Sequence, residues 1–68
     1  MSSSNAADAV HIPERLLKAQ EVAQILNVSR AFAYQLMRRG EIRTVKILGA
    51  RRVRPEDLLR FIEQNTSL

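Results

Sequence analysis

Residues 27–42, NVSRAFAYQLMRRGEI, decide how this chain folds. Asn27 tolerates the left-handed backbone that closes a helix, and Ser29 is a good N-cap for the next one. From Arg30 to about Arg39 the residues follow a helical period. Ala33, Leu36 and Met37 share one face of a 3.6-residue wheel, while Ala31, Gln35, Arg38 and Arg39 point the other way. Phe32 and Tyr34 lie on the flanks, and Gly40 ends the segment.

Upstream, Val22, Ala23, Ile25 and Leu26 recur at helical spacing, which predicts a helix over 19–26. Lys18 stands where a Ser, Thr or Asp cap is expected, so that helix starts weakly. Only Asn27, Val28 and Ser29 separate the two helices, the short connection of a helix-turn-helix.

Downstream, IRTVKILGARRVRP (42–55) alternates. Ile42, Val45, Ile47 and Val53 are the apolar set, and Thr44, Lys46, Arg52 and Arg54 are expected to face out. Two short β-branched runs around Leu48-Gly49-Ala50-Arg51 predict a hairpin, which must lean on the helices to be stable. Pro55 suits the first position of a third helix. Glu56 and Asp57 oppose the positive end of its dipole, where solvation accounts for them. Leu58, Leu59, Phe61 and Ile62 supply its apolar side, and the pattern fades after Gln64. The expected fold is mainly α with a small β-hairpin. Residues 14–64 form the domain, 1–13 a flexible N-terminal tail and 65–68 a C-terminal tail.

The chain has 68 residues, room for one domain with a small core. It has no cysteine and one histidine, His11, in the tail. With just two glycines there is no Gly-rich phosphate loop, and no nucleophile–base pair can be drawn. Catalytic residues, a metal site and a cofactor are therefore not expected, and the chain does not read as an enzyme. No apolar run approaches the roughly 18 residues of a membrane span, and the start lacks the pattern of a secretion signal. A cytoplasmic location without membrane association is expected.

Net charge is +4, but its distribution says more. Arg30, Arg38, Arg39, Arg43, Lys46, Arg51, Arg52 and Arg54 are opposed within 30–54 only by Glu41. That stretch carries +7 and the remainder −3. Such segregation in a tiny domain points to a polyanion rather than to a solvated surface. Three aromatic residues without clustering make a poor stacking platform for single-stranded RNA.

The segments LLKAQEVAQILNVSRAFAYQLMRRGEI (16–42) and VKILGARRVRPEDLLRFI (45–62) resemble the excisionase-type, MerR-like winged helix-turn-helix domain. Carrying the resemblance are E-V-A at Glu21–Ala23, V-S-R at Val28–Arg30, Tyr34, Leu36, R-x-G-E-I at Arg38–Ile42 and E-D-L at Glu56–Leu58. Lys18 departs from the usual Thr or Ser, and Phe32 from a position more often Thr or Ser. The wing tip carries Arg51 where an aromatic is common, leaving no ring for a hydrophobic role there.

The resemblance implies a winged helix-turn-helix binding double-stranded DNA, with the second helix in the major groove and the hairpin wing in an adjacent minor groove. Arg and Gln can read guanine and adenine edges from such a helix, and narrow minor grooves attract arginine. The implied recognition-helix residues are Ser29, Arg30, Tyr34, Gln35, Arg38 and Arg39. Gln35 and Arg38 are assigned to base edges or the groove wall, Arg30 and Arg39 to phosphates, and Tyr34 to a phosphate or sugar. Tyr34 equally fits a cover over the core edge, and Arg39 a partner for the helix C-terminus. The implied wing residues are Lys46, Arg51 and Arg52, with Arg43 and Arg54 more peripheral. The family includes phage and mobile-element excisionases, or recombination directionality factors, which bind and bend attachment-site DNA so that an integrase excises. A small MerR-like transcriptional regulator is the alternative. The absence of an effector domain or a long dimerisation helix after Ile62 favours the excisionase. Self-association on adjacent DNA sites is expected, with Phe32, Leu59 and the tail as candidate contacts.

Overall fold

The computed structural model describes residues 12–67. Five elements follow in order: α1 (Ala19–Leu26), α2 (Arg30–Arg38), β1 (Val45–Ile47), β2 (Ala50–Arg52) and α3 (Pro55–Gln64). Three helices with a two-stranded antiparallel hairpin make a small winged helix-turn-helix. Most of the expected N-terminal tail lies outside the described residues, as does Leu68. Within 65–67, Asn65 and Thr66 back-bond to the last carbonyls of α3: Asn65 Nδ2 donates to Phe61 O at 2.8 Å and Thr66 Oγ1 to Ile62 O at 2.7 Å.

The turn between α1 and α2 forms as its residues require. Asn27 adopts φ 59°, and the Val28 N–H donates to Ala23 O at 3.0 Å, satisfying a carbonyl the helix leaves free. Ser29 Oγ then accepts from the Phe32 N–H at 3.1 Å, capping α2. At the other end Gly40 takes φ 79°, and the Glu41 N–H donates to Leu36 O at 3.0 Å. Arg39 is the C-cap residue, so α2 stops one residue short of the expected end.

The weak start expected for α1 is corrected. Its cap comes from three residues downstream: Glu21 accepts the Lys18 N–H at 2.9 Å and pairs with Arg15. The Arg15 hydrogen bond, with the Lys18 N–H second, lowers the Glu21 carboxyl to about 2. This is the carboxylate half of a capping box, made without a hydroxyl at the N-cap.

One core holds the elements together: Leu17, Val22, Ala23, Ala33, Met37, Ile42, Val53 and Leu58, all buried. α1 packs on α2 with the small side chains Ala23 and Ala33 in the shared core. An isolated antiparallel bridge joins Leu17 to Val53, its N–H···O bonds 2.8 and 2.9 Å long. The segment before α1 is thereby tied to the base of the wing.

Asp57 differs from its expected solvated place. It is only 6% exposed, and its carboxylate accepts from Arg54 Nε at 2.7 Å and Nη2 at 3.3 Å. The Arg54 hydrogen bond holds that carboxyl below the usual aspartate range. A buried carboxylate needs such a partner, and Arg54, as N-cap of α3, supplies it. Arg54 therefore does not simply face out.

The wing also departs from strict alternation. Its register pairs Val45 with Arg52, Lys46 with Arg51 and Ile47 with Ala50. Directly paired residues share a face. Arg52 thus stands beside Val45 and is half-buried, while Ile47, expected inside, is 45% exposed. The ribbon runs past the helices, so only its base lies on the core. The turn is Leu48-Gly49 alone; Ala50 and Arg51 belong to β2. Both turn residues have positive φ, 49° and 91°, as a type I′ hairpin turn demands. For leucine that conformation costs about 1–2 kcal/mol.

Candidate nucleic-acid interface

An open groove of about 690 Å3 runs between α2 and the wing. Arg30, Ala31 and Tyr34 line it from α2, and Gly49, Ala50, Arg51 and Arg52 from the wing, with Met37 and Ala19 at its floor and rim. The helical period places Arg30 and Tyr34 one turn apart on the same side, and Ala31 between them keeps the helix surface low. The connection Gly40–Thr44 returns the chain so that β2 lies alongside. Four of the residues implied for binding, Arg30, Tyr34, Arg51 and Arg52, are brought together here.

The electrostatics of the groove are unbalanced. Among the described residues, ion pairs involve only Arg15 and Arg54 as cations. Arg30, Arg38, Arg39, Arg43, Lys46, Arg51 and Arg52 have no acidic partner within bonding distance. Lys46 and Arg51 stand directly opposite on one face of the hairpin, and like charges so placed destabilise a ribbon. The neighbouring hydrogen bonds do not neutralise them: Arg51 Nη1 donates to Thr44 Oγ1 at 3.5 Å, and Arg52 Nη1 to Arg51 O at 2.9 Å. An external anion would relieve the repulsion.

The other implied residues spread outward from this groove. Gln35 and Arg38 are exposed on α2 outside it. Ser29 is occupied in capping α2. Arg39 borders a separate apolar hollow with Leu26, Val28, Phe32, Leu36 and Phe61. Arg43 lies beside Asp57 and Arg60 against α3, and Arg54 is committed to Asp57. Tyr34 is 47% exposed, so it edges the groove rather than sealing the core.

The sequence pattern overlooked Leu48. The residue at the wing tip is this leucine, not Arg51, and it is fully exposed (103%). A signal was present: leucine stands before glycine in a two-residue loop, where asparagine is preferred.

Among the described residues no group of His, Cys, Asp or Glu could hold a metal ion, and no helix is long and apolar enough to cross a membrane. A family model described as a helix-turn-helix domain matches residues 16–66. No curated protein and no solved structure matches the chain.

Proposed function

The chain belongs to the helix-turn-helix domain family, and from that membership we propose that it binds double-stranded DNA sequence-specifically, with α2 in the major groove and the wing on an adjacent minor groove. The observation that carries this reading is the α2–wing groove, whose arginines lack acidic partners among the described residues. α2 presents Gln35 and Arg38 for base edges, and Arg30 with Tyr34 for the backbone.

Within DNA binding, the reading is an excisionase that bends attachment-site DNA and steers an integrase towards excision. Two apolar surfaces away from the groove support binding as several copies. One is formed by Leu26, Val28, Phe32, Leu36 and Phe61, and the other by Ile12, Leu16, Pro55 and Leu59. Leu59 and Phe61 are two residues apart, about 200° around α3. The surfaces therefore face opposite sides, as neighbours in a row on DNA would need. A domain this small has a small footprint and gains occupancy from adjacent copies. The chain does its work by binding, without catalysis or cofactor.

The test separates helix from wing. Gln35→Ala or Arg38→Ala is expected to relax sequence preference, at about 1–3 kcal/mol on the cognate site if the contact is bidentate. Arg51→Ala with Arg52→Ala should instead weaken every site and reduce bending. Binding to duplexes with one, two and three sites, followed by mobility shift, reads out both. Unchanged discrimination in the helix variants would remove α2 as the reader. Independent occupancy of each site, without added bending, would leave a simple DNA-binding regulator.

A further inference from the structure

We propose that Leu48 is an apolar wedge that enters the minor groove and partly unstacks one base step, kinking the duplex where the wing meets it. The proposal rests on the DNA-binding reading above and adds a contact of a different kind from the arginines.

Three observations converge on this one side chain. Leu48 is fully exposed, which wastes a large apolar surface in water. It holds φ 49°, a conformation that asparagine or glycine adopts with less strain and better hydration. A residue doubly disfavoured at a loop tip is a candidate for function, since strain of this kind concentrates at binding sites. Its surroundings then select the partner. Gly49 has nothing within 4 Å of where a Cβ would lie, so the space beside the leucine is open. Ile47, half-exposed, continues the apolar edge behind it.

Lys46 and Arg51 stand opposite each other on one face of the ribbon, one pair behind Ile47 and Ala50, and Arg52 follows on the other face. An apolar point carried on a cationic ribbon suits neither a lipid interior nor a protein core, because the cations would follow it in. It suits a minor groove, about 6 Å wide, with a phosphate ridge on either side. There the leucine meets base edges while the flanking cations meet phosphates. Leucine is among the side chains that can part a base step, and the resulting bend lets more protein surface touch the duplex. Flexible pyrimidine–purine steps would be the preferred point of entry.

The probe is a duplex of about three helical turns, enriched on the wild-type chain from a randomised pool and labelled at its ends for energy transfer. Wild type should bind and shorten the end-to-end distance. Leu48→Asn relieves the backbone strain, so its melting temperature should rise by about 4–8 °C. The same variant should bind about ten-fold more weakly and leave the duplex nearly straight. Leu48→Met, still apolar and unbranched at Cβ, should restore most of the bend. A stabilised Leu48→Asn chain that binds and bends like wild type would overturn the wedge and leave DNA binding intact. Wild type that binds without bending would do the same. Failure of the wild-type chain to enrich or bind any duplex would overturn both readings together.

Discussion

Raising the salt from about 50 to about 200 mM is expected to weaken duplex binding about 1,000-fold. The number follows from which cations are free. In the basic stretch only Arg54 is spent internally, on Asp57 and more loosely on Glu56. If about six of the remaining seven meet phosphates, counterion release sets a log–log slope near −5. The individual residues then separate by where the fold puts them. Lys46→Ala should flatten the slope by about one unit and weaken all sequences alike. Arg54→Ala should leave the slope almost unchanged and lower the melting temperature instead, because buried Asp57 loses its partner. Fluorescence anisotropy across a salt series measures the three slopes, and a thermal melt the loss of stability in Arg54→Ala. A wild-type slope near zero would remove DNA as the principal ligand.

Leu17→Ala is expected to lower the melting temperature by about 10–30 °C. Leu17 is fully buried, and its backbone bonds to Val53 in both directions. Removing a buried leucine side chain costs about 2–5 kcal/mol. A domain of this size has only about 3–8 kcal/mol of stability in total, so the variant consumes most of it. Leu16, the exposed neighbour, provides the contrast: Leu16→Ala should melt close to wild type. Because DNA binds only the folded form, duplex at about 100 times its dissociation constant should return about 2.7 kcal/mol and raise the variant's melting temperature again. Circular dichroism melts with and without duplex check both statements. A Leu17→Ala chain melting like wild type would mean that the Leu17 side chain does not hold the core together.

What was legible in the sequence was local. Asn27, Ser29 and Gly40 each act on a backbone group within four residues, and each does what its chemistry indicates. The helical faces followed from period alone, so Ala33 and Met37 are buried and Gln35 and Arg38 exposed. What escaped depended on partners further off or on pairing. Lys18 is a poor cap by itself, but Glu21 and Arg15 together do the capping. Asp57 reads as a solvated residue of a first turn until Arg54 folds onto it. Alternation along one strand could not say that Arg52 would stand with Val45, because facing is set by register across a two-residue turn. The site behaves likewise: Arg43 and Arg54 already read as more peripheral than Arg51 and Arg52, but the reason, that they lie against α3 while Arg51 and Arg52 line the groove, depends on the fold. Leu48 was passed over because a lone exposed leucine is ordinary; its positive φ makes it otherwise.

Titrating the isotope-labelled chain with duplex DNA, while following backbone and side-chain amide resonances, tests the α2–wing groove most directly as the binding surface. The largest shifts should fall on Arg30, Tyr34, Gln35 and Arg38 of α2 and on 46–52 of the wing, with Glu63 and Gln64 at the far end of α3 unmoved. Shifts centred instead on α3, or on the Leu16–Leu59 surface, would contradict it.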